Sequence, residues 1–190
     1  MVERCGWAGP EEIYLRYHDT DWGVPEYNSR ELWEKLILDG FQAGLSWITI
    51  LKKRDNFRAA FAGFEPEIIA NWGPDEVERL LQDAGIIRHR GKIEATISNA
   101  KVYQEIDAGE GFDSFLWKYV DGRPLQNAFK MQADVPTETA LSRQISKDLK
   151  ARGFKFCGPT IVYAFMEAVG MVNDHLTTCH RYEEIAAMGR

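Results

Sequence analysis

Apolar residues recur along much of this chain at spacings of three and four, the repeat of a helix that buries one face. In the segment after Ser29, for example, Leu32, Trp33 and Leu36 fall on one side of a helix that Ser29 can cap. Start and stop residues predict helices in five further segments. These are a helix from Ser46 through Leu51 into the basic cluster Lys52 to Arg54, one opened by Gly73-Pro74-Asp75 and ended by Gly85, one from Lys92 to Ile106, one after Thr137 that stops at Gly153, and one from Gly158-Pro159 through Ala168.

Strands are expected to be few or absent, because no segment keeps the alternation of apolar and polar residues that a half-buried strand requires. The longest predicted loop runs from Asp121 to Pro136. A length of 190 residues suits one well-buried domain. The sequence therefore predicts an all-α fold in a single compact domain over residues 1–190.

Composition excludes several classes of protein. With 45% hydrophobic and 12% aromatic residues, the chain can bury a core and is not disordered. Its apolar runs are shorter than the roughly 20 residues of a membrane helix, so no membrane partner is expected. Residues 1–9 contain no apolar signal segment, and three cysteines do not make a disulfide framework. We therefore expect a cytoplasmic protein whose thiols bind metal or pack.

The charge of the chain gives two opposing indications about a nucleic-acid partner. The net charge of −6 argues weakly against one. Basic residues are nevertheless concentrated, because residues 79–101 hold five Lys and Arg against two acids, and residues 143–155 hold five against one. A local basic face can bind phosphates while the whole molecule stays acidic, although such clusters are also typical of solvated helix faces.

Residues near the two ends of the chain form a candidate metal site, made of Cys5, His18, His175 and Cys179. His175 and Cys179 are four apart and would share one face of a helix. Two thiolates and two imidazoles suit a structural Zn²⁺ ion, which takes four such ligands in a tetrahedron. His180 competes with His175 as a ligand, and the alternative interpretation is that the cysteines are simply buried apolar residues.

The link from Gly85 to Lys92 between two predicted helices has the form of a helix-hairpin-helix motif. Glycines near both ends permit tight turns, and Ile86 and Ile87 can anchor the link in the core. Free backbone N–H groups at the start of the second helix, with basic side chains around them, would suit a DNA phosphate. The alternative is an ordinary helical hairpin whose basic loop is solvated.

The segment from Leu38 to Trp47 places an acid and two glycines among apolar residues. Gly40 and Gly44 are expected to break the helix, and Asp39 is costly in apolar surroundings unless it is paired or used. Aromatic residues from this segment and from the N-terminal segment can line a pocket for a flat cationic ring, with Asp39 at its edge. The aromatics are Trp7, Tyr14, Tyr17, Trp22 and Trp47. The alternative is a tryptophan-rich core in which Asp39 caps a helix.

Several strings of residues in these segments resemble the bacterial 3-methyladenine DNA glycosylase I family. The resemblance covers Arg4 to about Cys179, and so many ordered strings are more specific than any single motif. The strings are Cys5-Gly6-Trp7, Tyr17-His18-Asp19, Trp22-Gly23-Val24-Pro25, Gln42-Ala43-Gly44-Leu45-Ser46-Trp47-Ile48-Thr49, Asp83-Ala84-Gly85-Ile86-Ile87-Arg88-His89-Arg90-Gly91-Lys92-Ile93, Arg152-Gly153-Phe154-Lys155-Phe156 and Val172-Asn173-Asp174-His175.

The resemblance implies a function as well as a fold. The family is all-α, belongs to the helix-hairpin-helix glycosylases, and removes 3-methyladenine from alkylated double-stranded DNA by flipping the base and hydrolysing its N-glycosidic bond. It carries one structural zinc ion, and no obligate protein partner is evident. By this resemblance the catalytic residues are Asp39, Tyr17 and Trp47; the base pocket consists of Trp7, Tyr17, Trp22, Asp39 and Trp47; the DNA-binding residues are Gln42, Gly44, Leu45, Gly85, Ile87, Arg88, Arg90, Gly91 and Lys92; and the zinc ligands are Cys5, His18, His175 and Cys179.

One position departs from the family, because Asp39 stands where its usual pattern has a glutamate that contacts the base edge. The charge is kept, but the side chain is one methylene shorter, so a direct hydrogen bond would need a bridging water or a shifted base. No lysine is placed like a Schiff-base nucleophile, and Asp113, the acid nearest the position of the catalytic aspartate in other hairpin glycosylases, has no assigned role. The sequence therefore predicts a monofunctional glycosylase without lyase activity.

Two other functions stay open at this stage. The main alternative is a zinc-containing DNA-binding module that recognises damaged or abasic DNA without catalysis, if the change to Asp39 has removed the activity. A metal-dependent hydrolase of small substrates is disfavoured, because four protein ligands would leave no open position on the metal for water.

Overall fold

Helices make up most of residues 2–188, the part of the chain that the computed structural model describes. Met1, Gly189 and Arg190, at the ends of the predicted 1–190 domain, lie outside the described residues. The helices are α1 (Glu12–Thr20), α2 (Ser29–Gln42), α3 (Trp47–Leu51), α4 (Arg54–Ala60), α5 (Pro66–Ile69), α6 (Pro74–Gln82), α7 (Arg90–Gly109), α8 (Phe112–Trp117), α9 (Ala140–Arg152), α10 (Pro159–Ala168) and α11 (Tyr182–Met188). None of these helices has both the length and the apolar character needed to span a bilayer. The predicted all-α fold class is confirmed.

Helix α2 lies at the centre of the fold. It contacts α7, α8 and α10, and apolar residues of these helices form one continuous core. Its buried face includes Leu32, Trp33 and Leu36, which are at most 2% exposed. Because α2 is held on several sides, the polar side chains that it carries toward a cavity are fixed in position.

Two short strands, β1 (Leu125–Gln126) and β2 (Val172–Asn173), pair in parallel with Leu125 opposite Val172. The loop predicted from Asp121 to Pro136 therefore contains a strand, and it also contains a short 3₁₀ helix at Gln132–Asp134. The pairing ties this loop to the segment that leads into His175. Few strands were expected, and two strands of two residues agree with that expectation.

The helix caps differ from the predicted ones by one or two residues. Asn28, and not Ser29, caps α2, because its side-chain oxygen accepts hydrogen bonds from the backbone N–H groups of Arg30 and Glu31. Thr139, and not Thr137, caps α9 through its hydroxyl oxygen, which accepts from the backbone N–H of Ser142 at 3.1 Å. Asn, Ser and Thr are all good caps, so the sequence alone did not distinguish neighbouring candidates.

The expected helix break at Gly40 is wrong, because α2 continues through it to Gln42. A Cβ at position 40 would lie 3.3 Å from the carbonyl oxygen of Phe156, so this glycine permits close packing between segments. The turn occurs at Gly44, whose φ is +82°. Similarly, the helix expected to run from Ser46 into the basic cluster ends at Leu51, and α4 starts only at Arg54.

The boundaries around the predicted hairpin from Gly85 to Lys92 also shift. Helix α6 ends at Gln82, so Gly85 lies inside the link and does not end the helix. Helix α7 starts at Arg90, two residues before the predicted start, and His89 caps it. Five helices were not predicted from the sequence, namely α1, α4, α5, α8 and α11. They have nine residues or fewer and so show little helical repeat, whereas the equally short α3 and α6 were predicted from the residues that precede them.

Candidate active site and metal centre

The four candidate metal ligands meet at one buried point. Cys5 lies in the N-terminal segment and His18 on α1, whereas His175 and Cys179 follow β2. One ligand atom from each residue lies within 4.8 Å of all the others. The expectation that His175 and Cys179 share a helix face is wrong, because residues 175–179 form no helix. His175 lies in a bend, and Cys179 ends a turn that its N–H closes by donating to the Leu176 carbonyl at 2.8 Å.

The spacing of these atoms fits a tetrahedral ion. Nδ1 of His175 is 3.6 Å from Sγ of Cys5 and 3.5 Å from Sγ of Cys179, and Nε2 of His18 is 3.5 Å from Sγ of Cys179. Metal–sulfur and metal–nitrogen bonds of about 2.3 and 2.0 Å at the tetrahedral angle would place sulfur and nitrogen about 3.5 Å apart. The cluster can therefore hold a metal ion with four protein ligands.

Hydrogen bonds fix the ring nitrogen that each histidine presents to the cluster. Nδ1 of His18 is 2.8 Å from Oδ1 of Asp19, so its Nε2 faces inward. Nε2 of His175 is 3.2 Å from the carbonyl oxygen of Trp22, so its Nδ1 faces inward. Partners of this kind orient metal-bound imidazoles. The competing His180 stays outside the cluster, because it is exposed and its Nδ1 is 3.0 Å from the Glu3 carbonyl oxygen.

Asp19 is itself held in place by a second contact. The Arg4 guanidinium donates to both of its carboxylate oxygens, at 2.8 and 3.0 Å from Nε. This hydrogen bonding lowers the pKa of Asp19 to about 2. Asp19 is therefore ionised at neutral pH and can orient His18 throughout the physiological range.

A cavity lies beside the four-ligand cluster of Cys5, His18, His175 and Cys179, and aromatic side chains form much of its wall. The predicted pocket residues all line it, together with Tyr14. The ring centroids of Trp7 and Trp22 are 4.9 Å apart in an edge-on arrangement, and those of Tyr17 and Trp47 are 5.4 Å apart. The structure therefore brings Trp7, Tyr17, Trp22, Asp39 and Trp47 into one cavity.

Two aromatic residues of the cavity wall also pack against the four-ligand cluster. The Trp22 ring packs edge-on against the His175 imidazole, with centroids 4.6 Å apart, and Trp7 lies 5.3 Å from the His18 ring. Gly23 follows with a φ of +83°, and a Cβ there would lie 2.9 Å from Nε2 of His175. Ordering the metal ligands therefore also positions two of the pocket tryptophans.

Asp39 lies inside α2 and is only 1% exposed, so it is not the helix cap of the alternative interpretation. Lys35, one turn earlier, forms an ion pair with Oδ1 of Asp39, and its Nζ lies 3.9 Å from the centre of the Trp47 ring. Oδ2 of Asp39 and the indole N–H of Trp47 are buried without a hydrogen-bond partner among residues 2–188. Unpaired buried polar atoms are costly, so both atoms are suited to a ligand.

Burial changes the protonation of these groups. It raises the pKa of the Asp39 carboxyl above its ordinary value, while the Lys35 ammonium opposes that rise. It also lowers the pKa of Lys35, while Asp39 opposes that fall. Burial, with a contribution from the negative charge of Asp39, raises the pKa of Tyr17 well above its ordinary value, so the phenol keeps its proton.

Two charged residues of the cavity were missed by the sequence analysis, Lys35 and Glu167. Burial raises the pKa of Glu167 well above its ordinary value, and the neighbouring Asp174 adds to this rise. Asp174 accepts hydrogen bonds of 2.6 Å from the Asn127 amide and the Tyr163 hydroxyl. The spacing of four between Lys35 and Asp39 on one helix would have indicated the first of these residues. Nothing local in the sequence indicated Glu167.

The loop between α2 and α3 borders the mouth of the cavity. Gln42 is the last residue of α2 and lines the cavity, Gly44 is exposed, and Leu45 is 42% exposed. The ammonium of Lys92 on α7 donates to the carbonyl oxygens of Phe41 at 2.8 Å and Ala43 at 2.7 Å. Lys92 is buried and holds this loop, so its ammonium does not point outward as a phosphate contact requires.

The link between α6 and α7 has a buried and an exposed side. Ile86 is buried and Ile87 is partly buried against the core, whereas Arg88 is exposed and pairs with no acid among residues 2–188. Arg90 forms an ion pair of 2.6 Å with Glu78. Gly85 lies inside this link and Gly91 in the first turn of α7. The predicted cluster of three outward cations is therefore reduced to Arg88 and a paired Arg90.

Comparisons with known proteins agree with this architecture. A family model described as methyladenine glycosylase matches residues 7–182. The chain belongs to the methyladenine glycosylase family. DNA-3-methyladenine glycosylase 1 of Escherichia coli strain K12 is 51% identical over 182 residues, which cover 95% of this chain and 97% of that protein.

Solved structures of family members have the same fold. A crystal structure of 3-methyladenine DNA glycosylase I matches with a TM-score of 0.92 and 52% identity, covering 94% of this chain and 98% of that chain. A structure described as the basis of 3-methyladenine recognition by the Staphylococcus aureus enzyme matches with a TM-score of 0.91 and 40% identity, covering 94% and 96% of the two chains. The resemblance inferred from the sequence strings is thus confirmed, and the protein is a DNA N-glycosylase.

Proposed function

We propose that this protein excises 3-methyladenine from alkylated double-stranded DNA, as a monofunctional glycosylase of base-excision repair. The observation that carries the proposal is the aromatic cavity into which Asp39 brings a buried carboxylate with one unpaired oxygen. Relatives over nearly the whole chain are named for 3-methyladenine, and one solved relative is described by its recognition of that base.

The chemistry of the cavity suits this base. Methylation at N3 leaves an adenine in DNA with a positive charge, and indole and phenol faces attract flat cations. Trp47 and Tyr17 supply such faces, and Oδ2 of Asp39 is free to accept a hydrogen bond from an N–H edge. An unmodified base carries no such charge and stays stacked, so it gains less from entering.

The reaction needs little from the protein beyond binding and electrostatics. The bond between C1′ of the sugar and N9 of the base breaks, and its electron pair neutralises the base. A water oxygen then bonds to C1′ and loses its proton to solvent. The ionised Asp39 carboxylate stabilises positive charge nearby, while the protonated Tyr17 and the Trp47 ring hold the base in line for departure.

Contacts to DNA are proposed for the two segments at the mouth of the cavity. Gln42 and Leu45, on either side of Gly44, would fill the gap left by the flipped base, and Leu45 is exposed for this role. Backbone N–H groups of Ile87, Arg88 and Gly91, with the side chains of Arg88 and Arg90, would meet the phosphate backbone as a helix-hairpin-helix motif. Gly85 would instead shape the turn, because its N–H donates to Oδ1 of Asp83 at 2.7 Å. Lys92 would contribute by holding the Gln42–Leu45 loop rather than by touching phosphate.

We propose zinc as the metal of the four-ligand cluster. Two thiols and two correctly oriented imidazoles at tetrahedral spacing match its preferences, and the ion would act structurally, with no position left for a substrate. Residues 1–190 would form the single domain that this ion closes. The DNA substrate and thiols kept for metal binding point to the cytoplasm.

The proposal is tested by chromatography of bases released from DNA treated with a methylating agent. We expect the wild type to release 3-methyladenine. Asp39→Asn should lower the rate of release at least about 100-fold, because it removes the charge opposite a developing cation. Asp39→Glu, which keeps the charge, is the matched control and should retain most activity. If the wild type releases no 3-methyladenine but binds abasic DNA, the non-catalytic DNA-binding module becomes the better assignment.

The monofunctional character has a test of its own. Lys35 is a lysine of the cavity, but its ammonium is engaged by Asp39 and lies against Trp47. We therefore expect no covalent adduct when the protein and abasic DNA are treated with borohydride. A borohydride-stable adduct that Lys35→Met abolishes would show lyase chemistry and refute this part of the proposal.

A further inference from the structure

A lysine ammonium lies where the proposed substrate would place its own positive charge. Nζ of Lys35 is 3.9 Å from the centre of the Trp47 ring and forms an ion pair with Asp39. A cationic base held between an indole face and a carboxylate would use these same two partners. All three side chains line the same cavity.

We infer that Lys35 is a specificity-determining residue, which competes with a cationic base for Asp39 and Trp47. The inference rests on the proposed glycosylase function and concerns the free energy that a cationic base must spend to displace the Lys35 ammonium. With Lys35 in place, the negative charge of Asp39 is already offset, and a cation that enters must displace the ammonium from a site that is only 15% exposed at Lys35. A neutral base that stacks on the aromatic rings has no such competitor.

The structure offers a place for the displaced ammonium. A second cavity lies on the other side of Tyr17, Lys35 and Trp47, which line both cavities. Its wall contains the acids Asp21, Glu26, Glu31 and Glu34 and the cations Arg54 and Arg58. Asp21 and Glu34 already pair with Arg54 and Arg58, and Glu31 pairs with Arg30. Glu26 forms no ion pair among residues 2–188, so its carboxylate can attract the displaced ammonium. Lys35 can thus leave Asp39 without being stranded in an apolar environment.

A merely structural role for Lys35 predicts a different outcome. If the ion pair with Asp39 only stabilised the fold, its loss would weaken the binding of neutral and cationic ligands alike. Competition instead predicts that removal of the ammonium favours cations alone. The ratio of two affinities therefore separates these roles, whereas stability and total activity do not.

The experiment compares two small ligands in binding measurements by calorimetry. The cation is 3,9-dimethyladeninium, in which a methyl group replaces the sugar, and the neutral ligand is 3-methyladenine at a pH where it is uncharged. We expect Lys35→Met to raise the affinity for the cation about tenfold relative to the neutral base, because one positive charge leaves the cavity. Lys35→Arg keeps the charge and is the matched control, with an unchanged ratio.

Folding of each variant is checked by its melting temperature and metal content, and Lys35→Gln replaces Lys35→Met if the latter does not fold. An equal ratio in the wild type and in the uncharged variant would overturn the inference, as would a parallel loss of both affinities. Release of 3-methyladenine from methylated DNA tests the glycosylase assignment separately. If the wild type releases 3-methyladenine but the ratio of the two affinities is the same in the wild type and in Lys35→Met, only the role of Lys35 is refuted.

Discussion

Among single residues, the buried polar side chains of Asp39, Lys35 and Tyr17 determine which ligands the cavity can bind. Asp39 and Lys35 form a pair along one helix, yet Asp39 keeps an unpaired oxygen. Tyr17 stays protonated because burial raises its pKa. Under the proposed function, these features suit the site to a ligand that donates an N–H group to Oδ2 of Asp39, while Lys35 opposes a ligand that brings a positive charge.

The pKa of Asp39 predicts how activity depends on pH. Burial raises this pKa above the ordinary aspartate value, so the carboxylate is ionised only above the raised value and protonates as the pH falls through it. Activity should therefore decline on the acid side at a pH above the ordinary range of aspartate. Single-turnover rates of base release, with folding followed by circular dichroism, check this. An acid limb at or below the ordinary value would contradict it.

The partner of His18 predicts an effect on the metal. Asp19 is not one of the four candidate ligands but orients the His18 ring through Nδ1, so Asp19→Asn should weaken retention of the proposed zinc ion about 10- to 100-fold. Competition with a chromophoric chelator measures this affinity. Glu12→Gln, an exposed acid on the same helix, is the control and should leave the affinity unchanged. Equal metal affinities in the wild type and in Asp19→Asn would show that the Asp19 carboxylate is not needed to orient His18.

At the scale of elements, α2 and the loop that follows it act as one support for the site. The helix carries Lys35 and Asp39 toward the cavity and ends at Gln42, where the chain turns at Gly44. The last carbonyl groups of a helix lack partners within the helix, and Lys92 from α7 supplies donors to two carbonyls there. One buried lysine thus couples the hairpin helix to the loop proposed to enter the DNA stack.

This coupling predicts the consequence of Lys92→Met. The variant keeps an unbranched side chain that is one atom shorter, and it leaves the Phe41 and Ala43 carbonyls without their donor, which should cost about 1–3 kcal/mol of unfolding free energy. Urea denaturation measures the loss. Lys101→Met, on the exposed side of the same helix, should change stability little. If Lys92→Met is as stable as Lys101→Met but binds DNA poorly, the direct phosphate role is the better explanation.

At the scale of the whole molecule, the four-ligand cluster joins segments that are distant in sequence. Cys5 and His18 come from the N-terminal segment and His175 and Cys179 from the C-terminal one, and the β1–β2 pair holds the latter in place. The cluster also lies against Trp7 and Trp22 of the cavity. Loss of one of the four ligands should therefore lower stability first. It should lower activity indirectly, because Trp7 and Trp22 would no longer be held in the cavity wall.

Cys179→Ser tests this order of events. The variant should lose the proposed zinc ion, and a loss of about 3 kcal/mol would lower the melting temperature by roughly 6–12 °C in a protein of this size. Metal analysis and calorimetry measure both. Cys157→Ser is the control, because Cys157 is buried outside the cluster and its replacement should keep the metal. Activity lost while zinc and melting temperature stay intact would contradict a structural role.

The residue pattern was sufficient to predict the helical class, the four residues that could hold a metal ion and the aromatic residues that line the cavity. Helix formation follows from a local repeat, and the ligands and aromatics belong to residue types whose chemistry is readable without coordinates. It placed α10 and the core of α7 correctly, but it misplaced caps at Asn28 and Thr139, where neighbouring residues cap equally well.

The folded structure was needed to establish how side chains with several possible partners are used. It turned Lys92 inward onto the Phe41 and Ala43 carbonyls, paired Arg90 with Glu78, and brought Lys35 and Glu167 into the cavity. A long cationic side chain can reach either solvent or a buried acceptor. Which of the two it reaches depends on acceptor atoms that lie on other helices, and a local sequence pattern does not indicate where these atoms are.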